Sequence, residues 1–180
     1  MSYPDPNSSP LGIRVPLGTP GFAWAVAHTR PRCEKKLMSH CGREGISATI
    51  PLHQSVKRYL SKTVVFEKPI FPGYVFLYLP VARWGHVSQN RYVANFLPVP
   101  NQTEFQQQLE DVYLALEASL EVRLAPEIGP GRPVRIRRGP LCGLHGWVEA
   151  RYGVTTVLLR LDFIGQAAAV HMHADDLELL

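Results

Sequence analysis

The sequence predicts an α+β fold in two parts. The first is an N-terminal antiparallel sheet with flanking helices, and the second is a small five-stranded β-barrel reached through a linker. Three observations carry this reading. Residues 22–122 run strand, helix, three strands and helix, with a hairpin-rich middle. Leu124–Pro133 packs three prolines and two glycines into ten residues, a linker composition. Beyond it come five short β-rich runs separated by turn signals, and closing such strands into a barrel removes their exposed edges. The expected divisions are a disordered leader at 1–21, an N-terminal domain at 22–122, a linker at 123–133 and the barrel at 134–180.

Taken in order, Ala23–Thr29 reads as a strand with Trp24 and Val26 on one face. Arg30-Pro31-Arg32 breaks it. Cys33–Glu44 reads as a helix with Cys33, Leu37 and Cys41 as its apolar stripe, Gly45 just past its end, and Arg32, Lys36, His40 and Arg43 on the adjoining face. Ile46–Leu60 is extended in character, with Pro51 arguing against a central strand position. Thr63–Glu67 and Tyr74–Leu79 are β-rich, Pro80–Gln89 is a short helix carrying Trp84 and Val87, and Val93–Leu97 is a further strand. A helix then starts at Thr103, where Thr103-x-x-Gln106 has capping-box form. Phe105, Leu109, Val112, Tyr113, Leu116 and Leu120 recur along it at helical spacing. The barrel strands are expected at Val134–Arg137, Gly146–Arg151, Thr156–Leu161, Ala168–Met172 and Leu177–Leu179.

Charge is unevenly spread. The net charge is +4, yet Arg30–Lys68 holds nine Lys/Arg against three acids, and Gln102–Gly129 reverses to six acids against Arg123. A basic stretch of this kind offers a face to a polyanion and equally fits an ordinary solvated surface. Three cysteines without a CxxC pair, in a chain without a secretory signal, point to reduced thiols and a cytoplasmic location. No segment has the length of a membrane span. The seven histidines are scattered. No nucleophile–base spacing, phosphate loop or metal-ligand set appears, so neither an enzyme nor a cofactor or metal is expected.

Two stretches carry most of the functional information. Pro69-Ile70-Phe71-Pro72-Gly73-Tyr74-Val75-Phe76, preceded by Trp24-Ala25-Val26, sets two aromatics around a Pro-Gly turn. Gly131–Val148 carries glycines at 139, 143 and 146 around a tight loop between two strands. The first resembles the N-terminal domain of the NusG family of transcription factors and the second resembles a KOW motif. The resemblance extends from Trp24 to Leu180. It departs at Ala25, where the family usually has an aromatic, and at the Gly-Pro-Leu-Cys-Gly turn of 139–143, which lacks the usual aromatic.

The resemblance implies that Phe71, Pro72 and Tyr74, with Trp24, His28 and Phe96 as walls, form a pocket for a helical coiled coil on the clamp of the largest RNA polymerase subunit. Arg83 and Trp84 are implied contacts to the second large subunit. Arg30, Lys36, His40, Asn90 and Arg91 match positions at which RfaH-like specialised paralogues approach the non-template DNA strand. Phe163 and Ile164 match the segment by which the KOW domain docks a small-subunit ribosomal protein or the Rho factor. The basic run Arg135, Arg137 and Arg138 has the chemistry for RNA contact, but Arg135 and Arg137 share one strand face, which favours a solvated side of the barrel. A monomeric factor that suppresses pausing and termination at selected operons is therefore expected. The alternatives are a housekeeping NusG coupled to Rho and a ribosomal-type KOW protein that binds RNA. Residues 131–180 show little helical periodicity, so a stable barrel is expected rather than a helical alternative.

Overall fold

A computed structural model describes Leu11 and residues 16–59, 62–118, 122–125, 131–151, 154–173 and 176–180. The order is β1 (Phe22–Thr29), α1 (Glu34–Arg43), β2 (Ser47–Thr49), β3 (Leu52–Tyr59), β4 (Lys62–Pro69), β5 (Tyr74–Pro80), α2 (Trp84–Ser88), β6 (Val93–Pro98) and α3 (Gln102–Glu117). Then follow β7 (Val122–Ala125), β8 (Arg132–Ile136), β9 (His145–Arg151), β10 (Val154–Leu161), β11 (Gln166–Met172) and β12 (Leu177–Leu179). By contacts the chain divides into two compact units, Met1–Ile50 with Pro72–Gln106, and Pro51–Phe71 with Gln107–Leu180.

The first unit is an antiparallel sheet in the order β2-β5-β1-β6. β1 has a partner on each side, so Trp24, Ala25, Val26 and Ala27 are all buried, and a continuous apolar run is what such a position requires. Register puts Trp24 opposite Tyr78 and Val26 opposite Phe76. The start of α3 covers this face through Phe105, whose ring lies 5.7 Å from Trp24 and 5.8 Å from Phe76. α1 packs against β2 and β5 and buries Leu37 and Cys41. Burial pushes the Cys41 thiol up to about 11, as removal of a thiolate from water must.

Several sequence expectations shift here. α1 begins at Glu34, and Arg32 sits in the preceding turn with φ +59°, so it does not share the helical face of Lys36 and His40. α3 begins one residue before Thr103. Its cap is Asn101, whose Oδ1 accepts from the Glu104 amide at 3.3 Å while its Nδ2 donates to the Glu104 carboxylate at 2.7 Å. Asn is the stronger capping residue, and it displaces the expected Thr103–Gln106 box. Leu11 and Pro16–Gly21 were expected in a disordered leader. Leu11 is fully buried, the Gly18 amide donates to the Tyr78 hydroxyl at 2.9 Å, and Val81 donates to the Gly21 carbonyl at 3.0 Å. Those bonds tie the segment to β5 and the residue that follows it.

The second unit holds a separate two-stranded sheet of β3 and β4 and an antiparallel sheet in the order β12-β8-β9-β10-β11-β7. All five strands expected of the barrel are present. Val134, Ile136, Val157, Leu159, Leu161, Ala168 and Val170 are buried in it. The linker expected from residue 123 begins later, because Val122–Ala125 pairs with β11, from Val122 opposite Val170 to Ala125 opposite Ala167. Its alternating Val-Arg-Leu-Ala suits an edge strand. Among the described residues β7 and β12 stand at the two ends of this order and do not pair with each other. Residues 126–130 of the expected linker lie outside the described residues.

Candidate functional site

The Pro-Gly turn is anchored from three directions. Gly73 has φ +87°, its amide donates to the Glu34 carboxylate at 2.8 Å, and its carbonyl accepts from the Thr29 amide at 2.7 Å and the Thr29 hydroxyl at 3.3 Å. A Cβ at Gly73 would stand 3.3 Å from His28 Nε2 in addition to adopting a left-handed backbone, so glycine answers both demands. The His28 ring stacks on Tyr74, with centroids 5.0 Å apart and planes at 28°. Pro72 and His28 are exposed and Tyr74 is half-buried. The structure therefore stacks His28 on Tyr74 beside the turn that carries the exposed Pro72. Thr29 and Glu34, not among the expected site residues, hold the turn in place.

The other expected pocket residues fall elsewhere. Trp24 is 1% exposed and spent on Tyr78 and Phe105, with its indole N–H donating to Gln106 at 3.4 Å. Phe71 is fully buried. Neither presents a surface to a partner; large aromatics next to a sheet are more readily consumed by its core. Phe96 pairs with Ala27 while Asn95 pairs with His28, so Phe96 is on the opposite face of the sheet from the His28–Tyr74 stack. There it meets Trp84 at 5.8 Å. Arg83, beside Trp84, donates to the Glu44 carbonyl at 3.1 Å and pairs with the Glu44 carboxylate at 3.4 Å, and His86 Nε2 lies 3.7 Å from the same carboxylate.

Four of the five residues expected to meet DNA are exposed or lie at one end of this sheet. The Arg30 amide donates to the Tyr92 carbonyl at 2.9 Å, which ties β1 to the loop before β6. Asn90 Oδ1 accepts from the Tyr92 amide at 2.9 Å and shapes that loop. Arg91 lies over the Tyr92 ring at 4.9 Å and donates to its hydroxyl at 2.8 Å. Arg30 and Lys36 are exposed. His40 is half-buried, with its ring 6.4 Å from that of His86. Tyr92, which organises Arg91, carries no sequence signal of its own.

In the C-terminal sheet, Phe163 and Ile164 lie on a 3₁₀ turn over Asp162–Ile164. The sequence expects exposed apolar tips, and both are half-buried. Gln108 holds this turn through two bonds, its Nε2 to the Asp162 carboxylate at 2.8 Å and its Oε1 from the Asp162 amide at 3.0 Å. Arg135, Arg137 and Arg138 are exposed, and Arg135 Nε donates to His145 Nε2 at 3.1 Å. Among the described residues no three His, Cys, Asp or Glu side chains gather at a metal-binding spacing, and no helix is long and apolar enough to cross a membrane.

Comparison with known proteins gives a consistent picture. The family model described as "Transcription termination factor nusG" matches residues 22–113, just over half of the chain. No curated protein matches in sequence. A solved structure described as "Domain interaction in Thermotoga maritima NusG" is similar, at 19% identity and TM-score 0.53, over 87% of this chain and 96% of that one. At that identity the likeness bears on the fold, and it extends the match beyond the N-terminal unit. A structure of the MjSpt4:Spt5 complex in conformation B aligns over the same shares at 14% identity, with a TM-score of 0.28, too low to carry an argument.

Proposed function

The chain belongs to the NusG family of transcription factors, and from that premise we propose that it docks on RNA polymerase through the His28–Pro72–Tyr74 cluster and suppresses pausing and termination. The observation that supports this reading is the anchored turn itself. Three bonds and a ring stack hold two aromatics and a proline near the surface at the end of a buried sheet. Apolar and aromatic anchors of that kind dominate helix-in-groove contacts. The proposed partner surface is a helical coiled coil on the polymerase clamp, with Arg83 and Trp84 toward the second large subunit.

The mode of action is mechanical. A factor that binds the elongating polymerase better than the paused one shifts the population between them and makes or breaks no covalent bond. Arg30, Asn90 and Arg91, in the same unit as the docking cluster, have the chemistry to meet an exposed non-template strand, through phosphate neutralisation and planar stacking. The basic Arg30–Lys68 stretch, the divergent first strand at Ala25 and the sequence around Ala82–Arg91 support action at selected operons over action on most transcripts. The C-terminal sheet, through the turn carrying Phe163 and Ile164, recruits a second protein, a ribosomal protein of the small subunit or Rho, at raised local concentration.

Co-elution of the full chain with core RNA polymerase tests the docking assignment. Tyr74→Ala is expected to weaken it about tenfold, ~1.4 kcal/mol, with folding intact because Tyr74 is not part of the deep core. A parent protein that fails to co-elute, or a Tyr74→Ala variant that binds as the parent does, rules the assignment out.

A further inference from the structure

The turn that carries Pro72 is fixed by a side chain from another element. Pro72 has no amide hydrogen, so within the Pro72-Gly73 pair the Gly73 amide is the one backbone donor. It donates to the Glu34 carboxylate at 2.8 Å. An ionised acceptor makes that bond stronger than one to a neutral oxygen. The Gly73 carbonyl is held from the other side by the Thr29 amide and hydroxyl. Thr29 is buried at the end of β1, so that half of the anchor belongs to the sheet. The amide half belongs to Glu34.

Glu34 is the first residue of α1, on the same helical face as Leu37 and Cys41. Both of those side chains are fully buried, and α1 packs against β2 and β5. The helix therefore holds the carboxylate on a rigid arm. Tyr74 has a second support, because it pairs with His28 across the ladder. Pro72 precedes β5 and lies outside that register. What Glu34 fixes is thus chiefly the attitude of Pro72 beside the His28–Tyr74 stack.

An acid in a first helical turn has two other uses. It meets the partial positive charge of the helix end, and near a partner it pairs with that partner's cations. Both depend on charge and tolerate a shorter side chain. The bond to Gly73 depends instead on reach and on an acceptor oxygen. Glu34 is half-buried and one of its oxygens is already on Gly73. We propose, resting on the docking reading above, that Glu34 is a positioning residue of that site: it acts on polymerase affinity through the Gly73 amide and the placing of Pro72, and not through its charge.

Titration of the full chain against core RNA polymerase tests this, with affinity and maximal pause relief read separately. Glu34→Gln loses the charge and keeps an acceptor oxygen at the same reach, so it is expected to bind within about twofold of the parent. Glu34→Asp keeps the charge and falls one methylene short. It is expected to weaken binding about fivefold, as is Glu34→Ala, the order that one hydrogen bond supplies. All three should reach the parent's pause relief at saturation, because the docked state is unchanged. In a Pro72→Ala background Glu34→Ala should cost less than it does in the parent, since the two act through one turn. A Glu34→Asp variant that binds more tightly than Glu34→Gln overturns the proposal, because charge would then be what acts. So does a Glu34→Ala variant that binds as the parent does. Where Tyr74→Ala weakens binding in the same titration, either result leaves the docking reading standing. Where Tyr74→Ala binds as the parent does, the docking reading falls and the role of Glu34 falls with it.

Discussion

A methyl group at Gly146 would stand 2.4 Å from Val157 Cγ1 and 3.0 Å from the Leu158 carbonyl oxygen. The first neighbour is a stiff β-branched side chain and the second is backbone, so neither moves aside cheaply. Gly146→Ala is therefore expected to cost about 2 kcal/mol, within the range for overpacking. A lowered urea midpoint for the C-terminal sheet, followed by circular dichroism, is the check; an unchanged midpoint would mean that β9 and β10 separate more easily than this contact implies. The sequence marks Gly146 only as loop punctuation, because the need for glycine comes from a strand more than ten residues away. Glu34 escapes notice for the same reason. An acid in a first helical turn reads as a dipole partner, and nothing local reveals that it reaches the Gly73 amide. Trp24 shows the converse. Alternation placed it on the right face, but aromatic identity does not tell a core ring from a docking ring.

At the scale of elements, strands and helices whose periodicity spans several residues were readable, and their ends were not. The five C-terminal strands match within two residues at each end, since short apolar runs bounded by glycines and turns leave little choice of where they begin and stop. β7 was hidden because its four residues adjoin a Pro/Gly-rich run, and the composition of the whole window outweighed the alternation inside it. The start of α3 differs by one residue, because the Asn101 side chain takes the cap that Thr103 also offers in sequence. The capping bonds there make a clear prediction. Asn101→Ala is expected to destabilise the protein by about 1 kcal/mol, while Thr103→Ala, exposed inside the first turn, should change stability by less than about 0.5 kcal/mol. Thermal unfolding of the two variants side by side measures the difference. Equal effects would contradict the assigned cap.

For the molecule as a whole, fold class was legible because both halves carry their own pattern, helices interleaved with strands and then strands alone. The division into compact units was not, since it depends on long-range packing that no local window records. In transcription with purified polymerase, the protein should relieve pausing on templates carrying one leader element and leave unrelated templates unchanged. Equal relief on every template would instead point to the housekeeping role. The buried thiol of α1 has a practical consequence for such experiments. With its ionisation pushed up to about 11, only about one Cys41 in ten thousand is a thiolate at neutral pH. Cys142 is exposed on the loop between β8 and β9, and Cys33 is half-buried. Replacing Cys33 by serine would leave one position open to a maleimide fluorophore, a built-in beacon for following the C-terminal sheet while polymerase moves.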